Sequence, residues 1–313
     1  GRARTRASAV LLLLLVSSAS VGRGEDGLAL FWKTTLSRLA AEPMEATVED
    51  TKEALSYKKY RVDYRSLDGV RVRAYLAMPV RGGERPRPVP AIVAVPGYGE
   101  LQQGLMLDEC QRGYAILQVF PRSQGPSREL WKIDGPDKLT WHLDKPEGAY
   151  YQGAYADVIR GVDYLVSRGD IDANRIAIAG SSQGGGLALA AASLDPRLKA
   201  VAAHVPFLCD MRLAARTPGA LVKKLLDDAH VNDEAHLRTL EYFDPLLLVA
   251  NLKVPVLVSS GGRDTICPAA TIRNVFDRIP GVKVLLHDPE LPHTTSEAFY
   301  SMAWLWLDRY LRP

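Results

Sequence analysis

The sequence of 313 residues contains only three cysteines and carries a formal net charge of only +3. So few cysteines exclude a disulfide-dense scaffold. The six histidines form no H-x-x-x-H pair and the cysteines have no metal-ligand spacing, so we expect no metal site. The small charge argues against nucleic-acid binding, and Arg2, Arg4 and Arg6 alone supply three positive charges. With 47% apolar and 24% charged residues, the composition is typical of a globular protein rather than a disordered one.

The cysteines are Cys110, Cys209 and Cys267, and each lies among apolar residues. We therefore expect all three to be buried and unpaired. An odd number would still allow one disulfide, which would leave one thiol free.

The amino end has the order of segments that is typical of an export signal. The three arginines precede the apolar run 9–16, and small residues follow over 17–22. The run is too short to cross a membrane, for which about 20 apolar residues are needed. We therefore predict a signal peptide over 1–24, cleaved between Ala19 and Gly24, and a protein exported to the periplasm or the medium, with no membrane contact afterwards. The alternative interpretation is a buried N-terminal helix.

Short apolar runs alternate with helical stretches from about residue 90 onward. Continuous apolar strands separated by helices indicate the α/β class, with a mostly parallel sheet that carries helices on both faces. We expect residues 25–313 to form a single domain that closes with a helix over 297–311. The predicted strands are 91–95, 114–119, 175–179, 200–205, 254–259 and 282–286.

Two further features complete the predicted architecture. Before the sheet, the apolar spacing predicts a helix over 25–56, followed by an antiparallel hairpin with strands at 60–65 and 70–78. Later, residues 207–250 form a longer helical excursion between two strands, which predicts a helical insertion.

The strongest chemical signal is G-x-S-x-G at residues 180–184, directly after a predicted strand and before a predicted helix. An abrupt turn from strand to helix exposes the middle serine hydroxyl, and Gly180 and Gly184 leave room for the neighbouring backbone. The motif therefore predicts Ser182 as a nucleophile. A glycine-rich turn without chemistry is the alternative.

A nucleophilic serine requires a base, and the base requires an orienting acid. In this fold the chain order is serine, acid, histidine, with the last two on loops after later strands. Asp264 and His293 satisfy that order and are our predicted acid and base. Asp288 and His287 compete with them, although His287 falls on a predicted strand.

Two main-chain N–H groups are the expected oxyanion donors. The N–H of Gln183 lies at the helix start, where unpaired donors face the site. The N–H of Tyr98 follows the strand at 91–95 within the segment Pro96-Gly97-Tyr98-Gly99. A simple glycine turn, with Tyr98 packed over the core, is the alternative for the second donor.

Several stretches resemble the acetyl xylan esterase and cephalosporin C deacetylase group, the seventh carbohydrate-esterase family. The resemblance spans about residues 27–312 and implies an α/β-hydrolase fold that removes acetyl groups from sugars and related alcohols without a metal or organic cofactor. It places the nucleophile, acid and base on Ser182, Asp264 and His293. The matching stretches are 180–186 (GSSQGGG), 205–209 (VPFLC), 239–244 (TLEYFD), 264–268 (DTICP), Gly97-Tyr98, Tyr150-Tyr151 and Phe31-Trp32.

The predicted substrate contacts are less specific. Phe207 and Leu208 are expected to form a tight acyl pocket, and Arg122 and Gln124 fall on the family's Arg-Gly-Gln motif, here with Ser123 in the middle. The glutamate that follows the catalytic histidine in the family is replaced by a threonine, which we expect to alter how the histidine loop is braced. Trp131 and Trp141 could stack on sugar rings or pack against the domain surface.

Other functions remain open from the sequence. A prolyl-oligopeptidase-like peptidase or a broad carboxylesterase would use the same fold and the same three residues. A non-catalytic relative that binds a sugar or a partner protein is a second possibility, against which the complete serine–acid–histidine set argues. The resemblance also allows a homo-oligomer.

Overall fold

A nine-stranded sheet forms the centre of the computed structural model, which describes residues 16–53, 55–80, 87–99 and 105–312. Its strand order is β1-β2-β3-β5-β4-β6-β7-β8-β9. The strands are β1 Thr47–Asp50, β2 Lys58–Arg65, β3 Arg71–Met78, β4 Val89–Val95, β5 Ala115–Phe120, β6 Ile171–Ser181, β7 Leu198–His204, β8 Val256–Gly261 and β9 Lys283–Asp288.

The direction of pairing changes once across the sheet. Strands β1, β2, β3 and β5 pair antiparallel in that order. All the other neighbours, β5-β4, β4-β6, β6-β7, β7-β8 and β8-β9, pair parallel. The prediction of a mostly parallel sheet with an antiparallel N-terminal hairpin is therefore confirmed. The carboxyl ends of β4 to β9 consequently meet at one edge, where open α/β sheets bind ligands.

Helices cover both faces of the sheet, because alternate residues of each strand are buried on opposite sides. Val93 and Val95 contribute to the core shared with α2 and α3, whereas Ile92 and Ala94 contribute to a second core shared with α9. In the described residues the helices are α1 Val16–Ala41, α2 Tyr150–Val166, α3 Gln183–Leu194, α4 Met211–Ala214, α5 Leu221–Asp228, α6 Glu234–Glu241, α7 Pro245–Leu248, α8 Ala269–Arg278 and α9 Glu297–Leu311.

The predicted insertion is helical, as expected, and comprises α4 to α7 between β7 and β8. A buried carboxylate, Asp244, holds its two ends together. It accepts hydrogen bonds from the N–H groups of Asp210, at 3.0 Å, and Met211, at 2.6 Å, and it caps α7 through the N–H of Leu246. Since all three donors are main-chain groups, the carboxylate fixes the backbone path and not only side-chain packing.

The N-terminal helix was predicted too long. Helix α1 ends at Ala41, and the segment that follows forms the short strand β1 on the edge of the sheet. All four residues of β1 are exposed, so no apolar pattern marks it, and it forms because β2 offers a free edge. The predicted signal peptide lies outside the described residues up to residue 15, and the backbone of 16–24 belongs to α1.

Two smaller observations concern the described residues as a whole. Cys110, Cys209 and Cys267 are all free and buried, as predicted. Within the described part of the chain, no helix combines the length and the apolar character needed to cross a membrane.

Candidate active site

The turn from β6 to α3 places Ser182 in a strained backbone conformation. Its φ of 55° and ψ of −119° lie in a region that L-residues rarely occupy. The two motif glycines make this turn possible. A Cβ on Gly180 would lie 2.3 Å from the backbone of Gly184, and a Cβ on Gly184 would lie 2.1 Å from the carbonyl oxygen of Val95. Only glycine at both positions lets β4, β6 and α3 approach so closely.

Main-chain hydrogen bonds hold the strained residue in place. The N–H of Ser182 donates to the carbonyl of His204 at 2.9 Å. The carbonyl of Ser182 accepts from the N–H of Phe207 at 2.8 Å and from that of Gly186 at 3.2 Å. Because the N–H of Ser182 is bonded to the end of β7 and its carbonyl to the segment that follows β7, the backbone that carries the hydroxyl is held in one position.

The three residues predicted to act together are joined by hydrogen bonds. His293 Nε2 lies 3.0 Å from Ser182 Oγ, and His293 Nδ1 lies 2.7 Å from Asp264 Oδ2. These are the distances expected of a nucleophile, a base and an orienting acid. The carboxylate of Asp264 is fully buried, whereas the side chain of His293 is 23% exposed, so the imidazole is accessible from the substrate side.

The loop after β8 fixes the carboxylate of Asp264. Its second oxygen, Oδ1, accepts hydrogen bonds from the N–H groups of Ile266 and Cys267, at 2.9 and 2.8 Å. Oδ2 is thereby left for His293 Nδ1, which selects the imidazole tautomer whose Nε2 accepts the proton of Ser182. The competing pair lies elsewhere: His287 and Asp288 are both exposed at the end of β9, and His287 Nδ1 is bonded to Ser260 Oγ at 2.9 Å.

The two predicted oxyanion donors lie on neighbouring segments, Tyr98 on the loop after β4 and Gln183 at the first residue of α3. The close approach of Gly184 to Val95 brings the loop after β4 against the start of α3. Neither the N–H of Tyr98 nor that of Gln183 is bonded to an acceptor in the described part of the chain. The Tyr98 hydroxyl donates to Asp137, and its ring lies edge-on to Phe207 at 5.6 Å. These contacts hold Tyr98 beside the residue that bonds to the nucleophile.

Gln124 joins the two oxyanion loops. Its amide oxygen accepts from Gln183 Nε2 at 2.8 Å, and its own Nε2 donates to the carbonyl of Gly97 at 3.4 Å. The amide oxygen of Gln183 accepts from the hydroxyl of Tyr151 at 3.1 Å. The structure thus gives Gln124 a bracing contact, and its predicted contact with substrate stays a prediction.

Arg122 is also engaged within the protein. Its side chain is only 7% exposed, and its guanidinium donates to both oxygens of Asp157 and to the carbonyl of Leu67. The main-chain N–H of Arg122 donates to the same carboxylate at 2.8 Å. This buried ion pair ties the end of β5 to α2 and to the β2–β3 hairpin. A contact of Arg122 with substrate stays a prediction.

The remaining predicted substrate contacts are two buried residues after β7 and two tryptophans beside Arg122. Phe207 and Leu208 are both buried, and the N–H of Phe207 donates to the carbonyl of Ser182, whereas their role in an acyl pocket stays a prediction. Trp131 and Trp141 contact each other edge-on at 5.4 Å, and Trp141 Nε1 donates to Asp134 at 2.7 Å. They line a cavity of about 290 Å³ beside Arg122, and their stacking on a sugar stays a prediction.

A buried thiol adjoins the triad. Asp264, Cys267 and His293 each offer one possible metal ligand within 4.8 Å of the others. However, the carboxylate and the imidazole are already bonded to one another, and the imidazole also to Ser182. Burial raises the pKa of the Cys267 thiol well above its usual value, so it is not a thiolate at neutral pH. We therefore interpret the group as a hydrolase triad with a protonated thiol beside it.

One part of the site was not recognised from the sequence. His204, at the end of β7, is fully buried. Its Nε2 nevertheless contacts the carbonyl of Thr294, next to the predicted base, and its Nδ1 contacts Ser259 Oγ. No local pattern could reveal this, because the histidine and the carbonyl are 90 residues apart in the sequence.

A serine on a strand-to-helix turn, with a histidine and a buried carboxylate on later loops, defines the α/β-hydrolase class. Comparison with known proteins agrees and is more specific. Residues 19–309 match the family described as Acetyl xylan esterase (AXE1), and the chain therefore belongs to that family. The resemblance identified from the sequence is thus confirmed.

Two solved structures and one curated protein illustrate the similarity. The acetyl xylan esterase from Paenibacillus sp. R4 superposes with a TM-score of 0.80 at 30% identity, over 90% of this chain and 94% of that one. The fold is shared with acetyl xylan esterase 1 from Thermoanaerobacterium sp. JW/SL YS485, with a TM-score of 0.82 at 21% identity over 91% and 94%. Acetyl esterase Axe7A from Xylanibacter ruminicola is 33% identical over 166 residues, which cover 52% of this chain but only 37% of that protein.

Proposed function

We propose that this protein is a serine esterase that removes acetyl groups from acetylated sugars, such as xylo-oligosaccharides, and from related small acetyl esters. The observation that carries the proposal is the continuous path of hydrogen bonds from Ser182 Oγ through His293 to Asp264. Membership of the acetyl xylan esterase family supports the acetyl ester as the substrate class. The full-length similarity to the Paenibacillus acetyl xylan esterase supports it further.

The arrangement suits acyl transfer in two steps. In the first, His293 Nε2 takes the hydroxyl proton as Ser182 Oγ attacks the acetyl carbonyl, and the carboxylate of Asp264 stabilises the imidazolium that forms. The tetrahedral intermediate collapses when His293 returns that proton to the departing sugar oxygen. In the second step His293 activates a water molecule, which attacks the acetyl-serine and releases acetate.

The developing negative charge requires donors that are already in place. The N–H groups of Tyr98, on the loop after β4, and of Gln183, at the start of α3, are assigned this role, since neither has an acceptor within the described residues. A lost oxyanion donor typically lowers kcat by about 10²–10³-fold. The side-chain bonds of Gln124 to both loops keep the two donors at a constant separation.

The buried ring of Phe207 supports a preference for a small acyl group. It lies edge-on to the Tyr98 ring at 5.6 Å, and the N–H of the same residue donates to the carbonyl of Ser182. An acetyl group fits such a site, whereas longer acyl chains require Phe207 or Leu208 to move. We therefore expect activity to fall steeply with acyl length.

The test combines a model series with a sugar substrate. Rates are measured on p-nitrophenyl acetate, butyrate and octanoate, and acetate release is measured from acetylated xylo-oligosaccharides, with wild type and Ser182→Ala. We expect acetate to be fastest, butyrate much slower and the variant near background. An equal or faster rate on octanoate would contradict the small pocket, and failure to release acetate from any ester would contradict the proposed function. A prolyl amide serves as the comparison substrate, because its cleavage would indicate a peptidase of the same fold.

We also propose that the protein is exported after cleavage between Ala19 and Gly24. The order of basic, apolar and small residues at the amino end supports this proposal. Expression with the natural leader in a Gram-negative host, followed by N-terminal sequencing of the periplasmic protein, tests it. A mature chain that retains the arginines before residue 9 would contradict it.

A further inference from the structure

We infer that His204 is a positioning residue of the active site: its carbonyl holds the main chain of the nucleophile, and its imidazole holds the loop that carries the base. His204 thus fixes the distance between Ser182 and His293, because one of its contacts holds the nucleophile and the other holds the loop of the base. The inference rests on the proposed function only in assuming that this serine and this histidine react together.

The first contact lies in the main chain. The N–H of Ser182 donates to the carbonyl of His204 at 2.9 Å, where β6 and β7 end side by side with Ser181 paired to His204. This hydrogen bond extends the ladder of the parallel sheet by one residue into the strained turn. The position of the nucleophile is therefore tied to the end of β7.

The second contact reaches the loop of the base. His204 Nε2 lies 2.9 Å from the carbonyl of Thr294, the residue after His293. A carbonyl can only accept, so Nε2 must carry the proton, and Nδ1 must then accept from the hydroxyl of Ser259 at 2.6 Å. The oxygen of that hydroxyl accepts in turn from the N–H of Val205 at 2.9 Å. Every polar atom of the imidazole is satisfied in one tautomer only.

The surroundings keep this imidazole neutral. His204 is fully buried, and its ring stacks on Phe299 with the centroids 4.6 Å apart. Burial lowers its pKa to about 4, an effect that is opposed by the hydrogen bond to Thr294 and reinforced by the neighbouring His293. At neutral pH His204 therefore adds no charge beside the base. It acts by geometry alone.

The chemistry depends on this separation because His293 Nε2 and Ser182 Oγ are 3.0 Å apart. A displacement of about 1 Å between reacting groups can cost on the order of 10²-fold in rate. The residue directly after the base is Thr294, at the position where the family has a glutamate. Here the brace comes from the strand beneath it, through the carbonyl of Thr294, and not from the side chain at that position.

Three substitutions distinguish a positioning role of the His204 side chain from a role in packing alone. His204→Gln keeps an N–H donor at the reach of Nε2, His204→Asn keeps a polar group only at the reach of Nδ1, and His204→Phe keeps the ring stacked on Phe299 but loses both hydrogen bonds. The rate of Ser182 labelling by a fluorophosphonate probe and kcat and KM on p-nitrophenyl acetate are measured for each, together with the melting temperature. We expect Gln to retain most of the activity, and Asn and Phe to lose about 10- to 100-fold in labelling rate and kcat with little change in KM.

The opposite order would overturn the inference. If the residue only fills space, Phe retains activity and Gln loses it, and the rates follow the melting temperatures. His287→Gln, the same substitution in an exposed histidine of the next strand but one, is the matched control and should behave as wild type. If the His204 variants do not fold, Ser259→Ala replaces them: it removes the hydroxyl that donates to His204 Nδ1 and so orients the ring toward Thr294, and an unchanged labelling rate would contradict the proposed brace.

The two readouts distinguish this inference from the proposed function. A wild-type protein that is labelled at Ser182 but releases no acetate would contradict the proposed substrate class. The order of labelling rates among the His204 variants would still decide whether His204 positions the pair.

Discussion

At the scale of single residues, the site depends on two histidines that hold opposite tautomers. His293 carries its proton on Nδ1, facing Asp264, so that Nε2 can accept from Ser182. His204 carries its proton on Nε2, facing the carbonyl of Thr294. In each case the partner, a carboxylate or a carbonyl, can only accept a hydrogen bond, so the nitrogen that faces it carries the proton. The carboxylate of Asp264 thus leaves Nε2 of His293 free to act as a base. The carbonyl of Thr294 leaves Nδ1 of His204 free to accept from Ser259.

Replacement of Asp264 by asparagine tests the first of these selections. The amide keeps the size of the carboxylate but can present an N–H to His293, which favours the tautomer that has its proton on Nε2. We expect kcat on p-nitrophenyl acetate to fall by about 10⁴-fold, with little loss of stability. Asp288→Asn is the matched control, since Asp288 is exposed and makes no contact with the triad. A loss of similar size in the control, or a loss below tenfold in Asp264→Asn, would contradict the assignment.

The three residues that the sequence predicted as nucleophile, base and acid are brought together by the structure, whereas the contacts of His204 were not predicted. Ser182 is marked by a local motif, and Asp264 and His293 by their order after predicted strands, so all three could be named in advance. The roles of Arg122 and Gln124 could not be settled in that way, because their buried partners, Asp157 and Gln183, come from distant segments. Tertiary contacts of this kind leave no periodic pattern in the chain.

At the scale of elements, the strand-to-helix turn combines strain with close packing. The positive φ of Ser182 is held by hydrogen bonds from β7 and the loop after it, and the approach of α3 to β4 leaves no room for a side chain at position 184. Strain of this kind persists only where the surrounding structure determines the conformation. The rigid elements around the turn therefore hold Ser182, which is only 5% exposed, in this conformation.

Gly184→Ala tests this packing. The added methyl would lie 2.1 Å from the carbonyl oxygen of Val95, so β4 and α3 would have to separate. We expect a loss of about 1–3 kcal/mol or more in the free energy of unfolding, and an activity loss of about 10²-fold as the oxyanion loop moves. Urea unfolding and p-nitrophenyl acetate hydrolysis measure the two effects. Gly169→Ala should change neither, because a Cβ there has no neighbour within 4 Å.

The elements differ in how far the sequence could predict them. The strands β4 and β5 and the second half of β6 are mostly buried apolar runs, and α9 was placed at its observed bounds, because their burial dictates their composition. Strand β1 was missed and assigned to a helix, since its four exposed residues form a strand only through pairing with β2. Burial can be predicted from composition, whereas the pairing of an exposed edge cannot.

At the scale of the whole molecule, segments from the entire chain converge on the carboxyl edge of the sheet. Tyr98, the proposed oxyanion donor, follows β4, the proposed nucleophile Ser182 follows β6, and the proposed acid and base, Asp264 and His293, follow β8 and β9. The ion pair of Arg122 and Asp157 joins this edge to the antiparallel half, through α2 and the carbonyl of Leu67. The position of the site thus depends on contacts that cross from one half of the sheet to the other.

Removal of this ion pair tests that dependence. Asp157→Ala leaves the buried guanidinium of Arg122 without its partner, and we expect a loss of about 3–5 kcal/mol in the free energy of unfolding, measured in urea. Asp228→Ala breaks the exposed helical pair with Lys224, in which the side chains are 61% and 67% exposed, and should cost no more than about 1 kcal/mol. Similar losses in the two variants would show that the buried pair does not join the halves of the sheet.

The central claim, that Ser182 is made reactive by His293 and Asp264, is tested most directly by a fluorophosphonate probe with the labelled site mapped by mass spectrometry. We predict one probe per chain, attached to Ser182, with labelling abolished by heat denaturation and by His293→Ala. Folded wild-type protein that stays unlabelled, or that carries the probe on another residue, would contradict the claim.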